Sequence, residues 1–300
     1  MNVLYFGLPL GACLLAADGH RIVQAVMGRP EGTGLRRLRR VLGPERVTML
    51  GSLGTSKTPK NLESLVHPGP IDLVVSWFFP KKLPPAILQL GRRGTVGVHP
   101  SLLPRHRGPD PYFAAIDQGD PVTGVTAHRL EADYDTGAML DRESLPIDPS
   151  WDAWTLARKL DRPSLRVLRR VVRALADGTA IEERQDEAHA TQAPEPGPDL
   201  LELDVKSMTP ESALRRIRAA APWPGAYFFT GEECLVVERA SAVAAAPFLE
   251  AGELAALPDG RVLLGLAQGA LHVERVRDEE DDVLAGEALH RWAEARLSLA

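Results

Sequence analysis

Cysteine is nearly missing: only Cys13 and Cys234 occur, far apart and each inside an apolar run. Two such thiols build neither a disulfide framework nor a zinc site, and they fit a reducing cytoplasm best. No stretch approaches the ~18–20 uninterrupted apolar residues of a membrane-crossing helix. The opening MNVLYFGLPLGACLLAADGH has no basic segment ahead of its apolar residues, so it reads as folded protein and not as a secretion signal. Metal-ligand spacing is absent among the 8 histidines, and no metal is expected. A GxGxxG dinucleotide fingerprint, a GxxxxGK phosphate loop and a GxSxG nucleophile elbow are all lacking. NAD enzymes and P-loop nucleotide hydrolases are thereby disfavoured. Neither sign of charge dominates, with 35 basic against 40 acidic residues and a net charge of −5. Nucleic-acid binding over the whole surface is disfavoured, although a local basic patch stays open.

What is present is ordinary globular composition, 44% hydrophobic and 25% charged over 300 residues, enough for two domains. Val3 to Phe6 reads as a buried strand, Gly7 to Pro9 as a turn, Gly11 to Asp18 as a helix, and Ile22 to Met27 as a second strand. Ile71 to Trp77 and Thr95 to Val98 are further buried strands, and Gly124 to Leu130 alternates in the way of a strand nearer an edge. Strands separated by helical stretches predict a doubly wound α/β domain with a mostly parallel sheet. A helix is predicted from Pro163, in its first turn, to Asp177. One face of it is apolar; another holds Arg166, Arg169, Arg170 and Arg173, either a solvated basic face or a patch facing RNA. Glu182 to Asp199 has linker composition. Beyond it a helix at Pro210 to Ala221 and short strands predict a smaller, β-rich, barrel-like domain. The expected division is 1–182, a linker at 183–204, and 205–300.

Sites in such sheets form at the carboxyl ends of strands. His99 stands at one such end, inside GVHPSLLP, and Asp135 lies in the following loop EADYDTG. A carboxylate beside an imidazole favours its charged form and orients it. Such a pair can move a proton from an attacking amine and set positive charge near a developing oxyanion. A histidine in an α/β core can equally be structural.

In order along the chain, GVHPSLLPRHRG, TGVTAHRL and YDTG resemble the motifs of the folate-dependent formyltransferases, a family that formylates amines from 10-formyltetrahydrofolate. Ile217-Arg218-Ala219 and Pro222-Trp223-Pro224-Gly225-Ala226 resemble the linker-side motif of the barrel in methionyl-tRNA formyltransferases. The resemblance implies a Rossmann-like catalytic domain followed by an OB-like one. It implies His99 and Asp135 as the catalytic residues. It also implies Phe78, Phe79, Pro80, Leu103, Asp133 and Tyr134 as folate-pocket positions, with simple core burial an equal reading for Phe78 and Phe79. Gly97, Ser101 and Arg107 are implied near the acceptor.

The sequence departs from the family at Gly97, where the family has an asparagine that donates to the formyl oxygen. Losing such a donor costs ~10²–10³ in rate. Only Asn2 and Asn61 supply asparagine elsewhere, so a water in the space left at Gly97, or the Gly97 backbone, is the expected substitute. For the acceptor, the resemblance implies initiator methionyl-tRNA, and tRNA calls for cationic surface. Candidates are Arg36, Arg37, Arg39 and Arg40 in LRRLRR, which also reads as a plain amphipathic helix, and Arg215, Arg216 and Arg218. Another amine, such as a nucleotide-linked amino sugar, and a weakly active paralogue that binds folate or RNA are the alternatives.

Overall fold

The run NVLYFG forms the first strand, β1 (Asn2–Gly7), and Pro9 opens the helix that follows, α1 (Pro9–Ala17). Gly7 makes that turn possible. Its φ is +137°, and a Cβ there would lie 1.8 Å from the Trp77 carbonyl oxygen, so only glycine fits. The chain continues through β2 (Arg21–Met27), α2 (Leu35–Leu42), β3 (Val47–Met49), β4 (Leu73–Trp77), α3 (Pro85–Leu88) and β5 (Thr95–His99). It then forms α4 (Pro111–Asp117), β6 (Val122–Arg129), β7 (Met139–Pro146) and α5 (Ala153–Asp177). This structure, a computed structural model, describes residues 1–28, 34–50, 62–66, 69–243, 246 and 249–297.

The seven strands lie in the order β3-β2-β1-β4-β5-β6-β7. The first five are parallel, and β6 runs antiparallel to β5. Val3, Leu4, Tyr5 and Phe6 of β1 and Leu73, Val74 and Val75 of β4 are wholly buried, as unbroken apolar strands of a sheet covered on both faces should be. The order in which strands are added reverses between β1 and β4, the place where sheets of this kind form their binding crevice at the carboxyl ends of the strands. The strand read from Gly124 to Leu130 is β6, second from the edge. Outermost is β7, whose sequence MLDRESLP gave no expectation of a strand.

The helix predicted to start at Pro163 starts ten residues earlier, at Ala153, and Pro163 lies inside it. Asp152 is the real start signal: its carboxylate accepts from the Thr155 N–H at 2.6 Å. An interior proline deletes one backbone hydrogen bond. Buried Leu156, Leu160, Val167, Leu168, Val171 and Val172 hold the helix regardless.

Two compact units emerge, neither continuous in sequence: 1–108, 123–145 and 159–192 form one, and 109–122, 146–158 and 193–300 the other. Within the first, residues 183–192 are tied down despite their linker composition. Glu183 and Met139 exchange backbone hydrogen bonds at 2.9 and 2.8 Å, and the Arg107 N–H donates to the Thr191 carbonyl at 2.8 Å. The second unit adds α6 (Pro198–Leu201), α7 (Pro210–Ala220), β8 (Ala226–Thr230), β9 (Glu233–Val243), β10 (Leu254–Ala256), β11 (Val262–Gly265), β12 (Ala270–Arg277), β13 (Val283–Ala285) and α8 (Gly286–Leu297). Its strands run in the order β10-β11-β12-β9-β8, with β13 on β12. Arg215 and Arg216, offered above as phosphate contacts, instead clamp α4: Arg216 pairs with Asp117 at 2.6 Å, and Arg215 Nε donates to the Asp117 carbonyl at 3.1 Å. Arg218 donates to the Trp151 carbonyl at 3.1 Å.

One buried hydrogen bond fastens α5 to the sheet: Trp77 Nε1–H donates to Ser164 Oγ at 3.0 Å. Ser164→Ala should strand that indole donor and lower unfolding stability by about 1–3 kcal/mol. Urea titration measures it, and a change below about 0.5 kcal/mol would mean the bond contributes little.

Candidate active site

At the carboxyl edge of the sheet, Ser76 of β4 pairs with Gly97 of β5, which ends at His99, and Phe78 follows directly on the end of β4. His99 is buried. Its Nε2 bonds the His106 carbonyl at 2.7 Å, and because a carbonyl only accepts, Nε2 carries the proton there. Nδ1 is left facing Asp135 Oδ2 at 3.6 Å. Asp135 is held in place by three further contacts. The Gly108 N–H donates to Oδ2 at 2.9 Å, and Gln185 Nε2 donates to the Asp135 and Gly137 carbonyls at 2.7 and 2.8 Å. Gly137 allows the loop to close: a Cβ there would stand 2.1 Å from the Arg129 carbonyl oxygen.

A residue not singled out from the sequence completes the cluster. His128 Nε2 lies 3.5 Å from Asp135 Oδ1, and its Nδ1 bonds the Arg129 carbonyl at 2.8 Å. Like His99, neutral His128 therefore turns a bare ring nitrogen to the same carboxylate. Burial pushes the His128 pKa down to about 4, against the raising effect of Asp135 and with a smaller lowering from His99. The signal for it was its spacing: Thr126 and His128, two apart on β6, share a strand face opposite His99 and Gly97. Thr126 Oγ1 donates to the Ser101 carbonyl and accepts from the Leu103 N–H, at 2.7 and 3.1 Å.

Among the described residues, four non-glycine residues have a positive φ; two of them touch His99, His106 at 59° and Asp135 at 57°, and Phe78, at 53°, directly follows β4. Aspartate tolerates that region, whereas phenylalanine does so at a cost of order 1–3 kcal/mol, and such strain gathers at functional sites.

The other candidates divide. Phe78 is exposed and stacks edge-on to Trp77 at 4.9 Å. Phe79 belongs to the core, edge-on to Phe6 at 5.2 Å, and Pro80 covers Gly28. Tyr134 is exposed with the Lys82 ammonium 4.5 Å over its ring, which brings the loop after β4 to the loop holding Asp133 and Tyr134. Leu103 is buried and its N–H is already used. Ser101 donates to its own loop, to the Arg105 carbonyl at 2.6 Å. Arg107 is turned inward: its guanidinium bonds Gln185 Oε1 and both Glu187 carboxylate oxygens at 2.7–3.0 Å. Arg36, Arg37 and Arg40 are exposed on α2, and no carboxylate among the described residues pairs with them. The space expected beside Gly97 is filled by Leu130, whose Cδ2 would stand 2.7 Å from a Cβ there. Asn2 lies at the opposite, amino end of β1 and donates to the Pro70 carbonyl, while Asn61 lies outside the described residues.

The formyl transferase family model matches residues 11–172, and the formyl transferase C-terminal domain model matches 200–292. The chain belongs to the formyl transferase family. A methionyl-tRNA formyltransferase of Geobacter sulfurreducens is 28% identical over 293 residues, covering 93% of this chain and 90% of that protein. One of Citrifermentans bemidjiense is 31% identical over 248 residues, covering 80% and 77%. The N-formyltransferase from Helicobacter canadensis, in complex with folinic acid and dTDP-3-aminofucose, shares the fold at a TM-score of 0.66 and 11% identity over 90% of this chain and 97% of that one. HypX from Aquifex aeolicus, in complex with tetrahydrofolic acid, does so at 0.60 and 18% identity over 96% of this formyl transferase but 46% of the HypX chain.

The His128 pKa implies a pH dependence of stability. Unfolded, this imidazole takes up its proton near 6.5; folded, it resists until about 4. The unfolded state thus binds more protons between those values, and stability falls as pH falls through that window, by up to about 3 kcal/mol. Thermal unfolding of wild type and His128→Gln should diverge across pH 6.5 to 4, with the wild type losing more. Parallel curves would contradict this.

Proposed function

We propose that this formyl transferase carries a formyl group from 10-formyltetrahydrofolate to the amino group of initiator methionyl-tRNA. The observation that carries the reading is the His99–Asp135 contact at the carboxyl edge of the sheet, 3.6 Å between Nδ1 and Oδ2. The names of the relatives and the folate complexes of the structural neighbours support it. The folate, when bound, supplies the electrophilic formyl carbon. Phe78, just past the end of β4, and Tyr134, next to Asp135, present exposed rings that suit a planar pterin.

The work of the protein's own groups follows from the tautomers. Two bare nitrogens and a carboxylate face one another, so the cluster gains most from one added proton. His128, pushed down to about 4, stays neutral near neutral pH. Protonated His99 sets positive charge where the formyl oxygen becomes negative. Asp135 holds that imidazole and receives a proton from the attacking amine, and the pair returns one to the departing folate nitrogen. Arg36, Arg37 and Arg40, free of described carboxylate partners, suit phosphates of the acceptor arm.

One observation favours a second reading, transfer to a small amine such as a nucleotide-linked amino sugar. Acidic residues outnumber basic ones across 193–300, and the arginines of α7 are already engaged, so this part of the chain offers little to a polyanion.

Purified protein with 10-formyltetrahydrofolate and charged initiator tRNA should yield formyl-methionyl-tRNA, and His99→Ala should cut kcat by ~10²-fold or more. Reversing Arg36, Arg37 and Arg40 to Glu should raise KM for tRNA and flatten its salt dependence by about one slope unit per lost phosphate contact. Formylation of an amino sugar nucleotide but not of tRNA would establish the second reading. Activity within a few-fold of wild type for His99→Ala would displace the site altogether.

A further inference from the structure

Gly97 and His99 lie two apart on β5, so their side-chain directions leave the sheet on the same face. A Cβ on Gly97 would stand 2.7 Å from Leu130 Cδ2, 3.2 Å from Cγ and 3.3 Å from Cδ1. The branched end of Leu130 therefore caps the glycine. Leu130 is itself anchored. Its N–H donates to the Thr95 carbonyl at 3.0 Å, and its side chain packs on the cluster that includes Leu4, Phe6 and Val74, where Phe79 also rests. The Gly97 backbone is paired on both sides, with Ser76 and with His128. Beside His99 on this face the sheet thus presents hydrocarbon, without a side-chain donor at position 97.

We propose that Leu130 is a specificity-determining residue of the formyl-transfer site: it seals the Gly97 side of His99 against water and polar groups, so that charge on the formyl oxygen is met by the imidazole alone. This rests on the formyl-transfer reading above. Each oxyanion donor is worth ~10²–10³ in rate, so a hydrocarbon wall in place of one gives up acceleration. In return it excludes the commonest competing nucleophile. Water attacking the formyl carbon breaks the same carbon–nitrogen bond, its hydroxyl going to that carbon as formate and its proton to the departing nitrogen of tetrahydrofolate.

The test is a double-variant cycle with 10-formyltetrahydrofolate, reading formate release without acceptor and formyl transfer to methionyl-tRNA. Leu130→Ala should raise formate release ten-fold or more. Gly97→Asn, whose amide must displace Leu130, should lower transfer. Combined with Leu130→Ala, it should exceed Leu130→Ala alone by ten-fold or more in transfer. Gly97→Asn at or above wild-type transfer, or Leu130→Ala within two-fold of wild type in formate release, overturns the proposal. Should Gly97→Asn fail to fold, formate release by Leu130→Ala decides alone. Binding of 5-formyltetrahydrofolate to the wild type separates the two failures. No binding defeats the formyl-transfer reading and this proposal with it; binding and turnover without the cycle's coupling defeat only the role of Leu130.

Discussion

The Asp135 carboxylate between two imidazoles is the interaction on which the carboxyl edge of this sheet depends. Neither ring is free to choose its tautomer, because the His106 and Arg129 carbonyls can only accept and so draw a proton to the far nitrogen of each. Asp135 consequently faces two bare nitrogens, and burial denies His128 the extra proton. Desolvation, and not residue type, keeps His128 neutral against the pull of Asp135.

Holding a carboxylate in that position takes effort elsewhere in the chain. Left-handed backbone at His106 and Asp135 lies in the two loop segments that meet the His99 imidazole. The amide of Gln185 grips the Asp135 loop by two carbonyls, and Arg107 holds Gln185 in turn. Arg107 thus acts on the site through a neighbour, as a brace made of charge-assisted hydrogen bonds. The segment supplying Gln185 and Glu187 looks like linker by composition and behaves as part of the first unit.

The arginines show how little a row of like charges says by itself. Three of those on the basic face of α5 are paired, Arg166 with Glu143, Arg169 with Asp18 and Arg170 with Asp141, and exposed pairs of this kind contribute only ~0–1 kcal/mol each. Those of α7 fasten α4 and the Trp151 carbonyl. The arginines of α2 have no described carboxylate partner. Each helix carries several arginines, and what each does is decided by its partners.

Apolar runs flanked by glycine and proline were enough to define the doubly wound sheet, because burial on both faces demands them, and β1, β2, β4 and β5 lie within a residue or two of where those runs fall. The polar alternation of β7 and the start of α5 were not legible: the first depends on a neighbouring strand, and the second on a cap at Asp152 overruling a proline. The strand-end His99 and the loop Asp135 could be named from local pattern, and the chain does bring them together. His128 could not, since a histidine on a strand acquires meaning only from what stands opposite. The sequence alone determined which elements form and that an imidazole stands at a strand end, since these depend on local periodicity and turn chemistry. Tertiary structure alone decided that Leu130 covers Gly97, that Arg107 points inward and that His128 shares Asp135, because each depends on residues distant in sequence meeting in space.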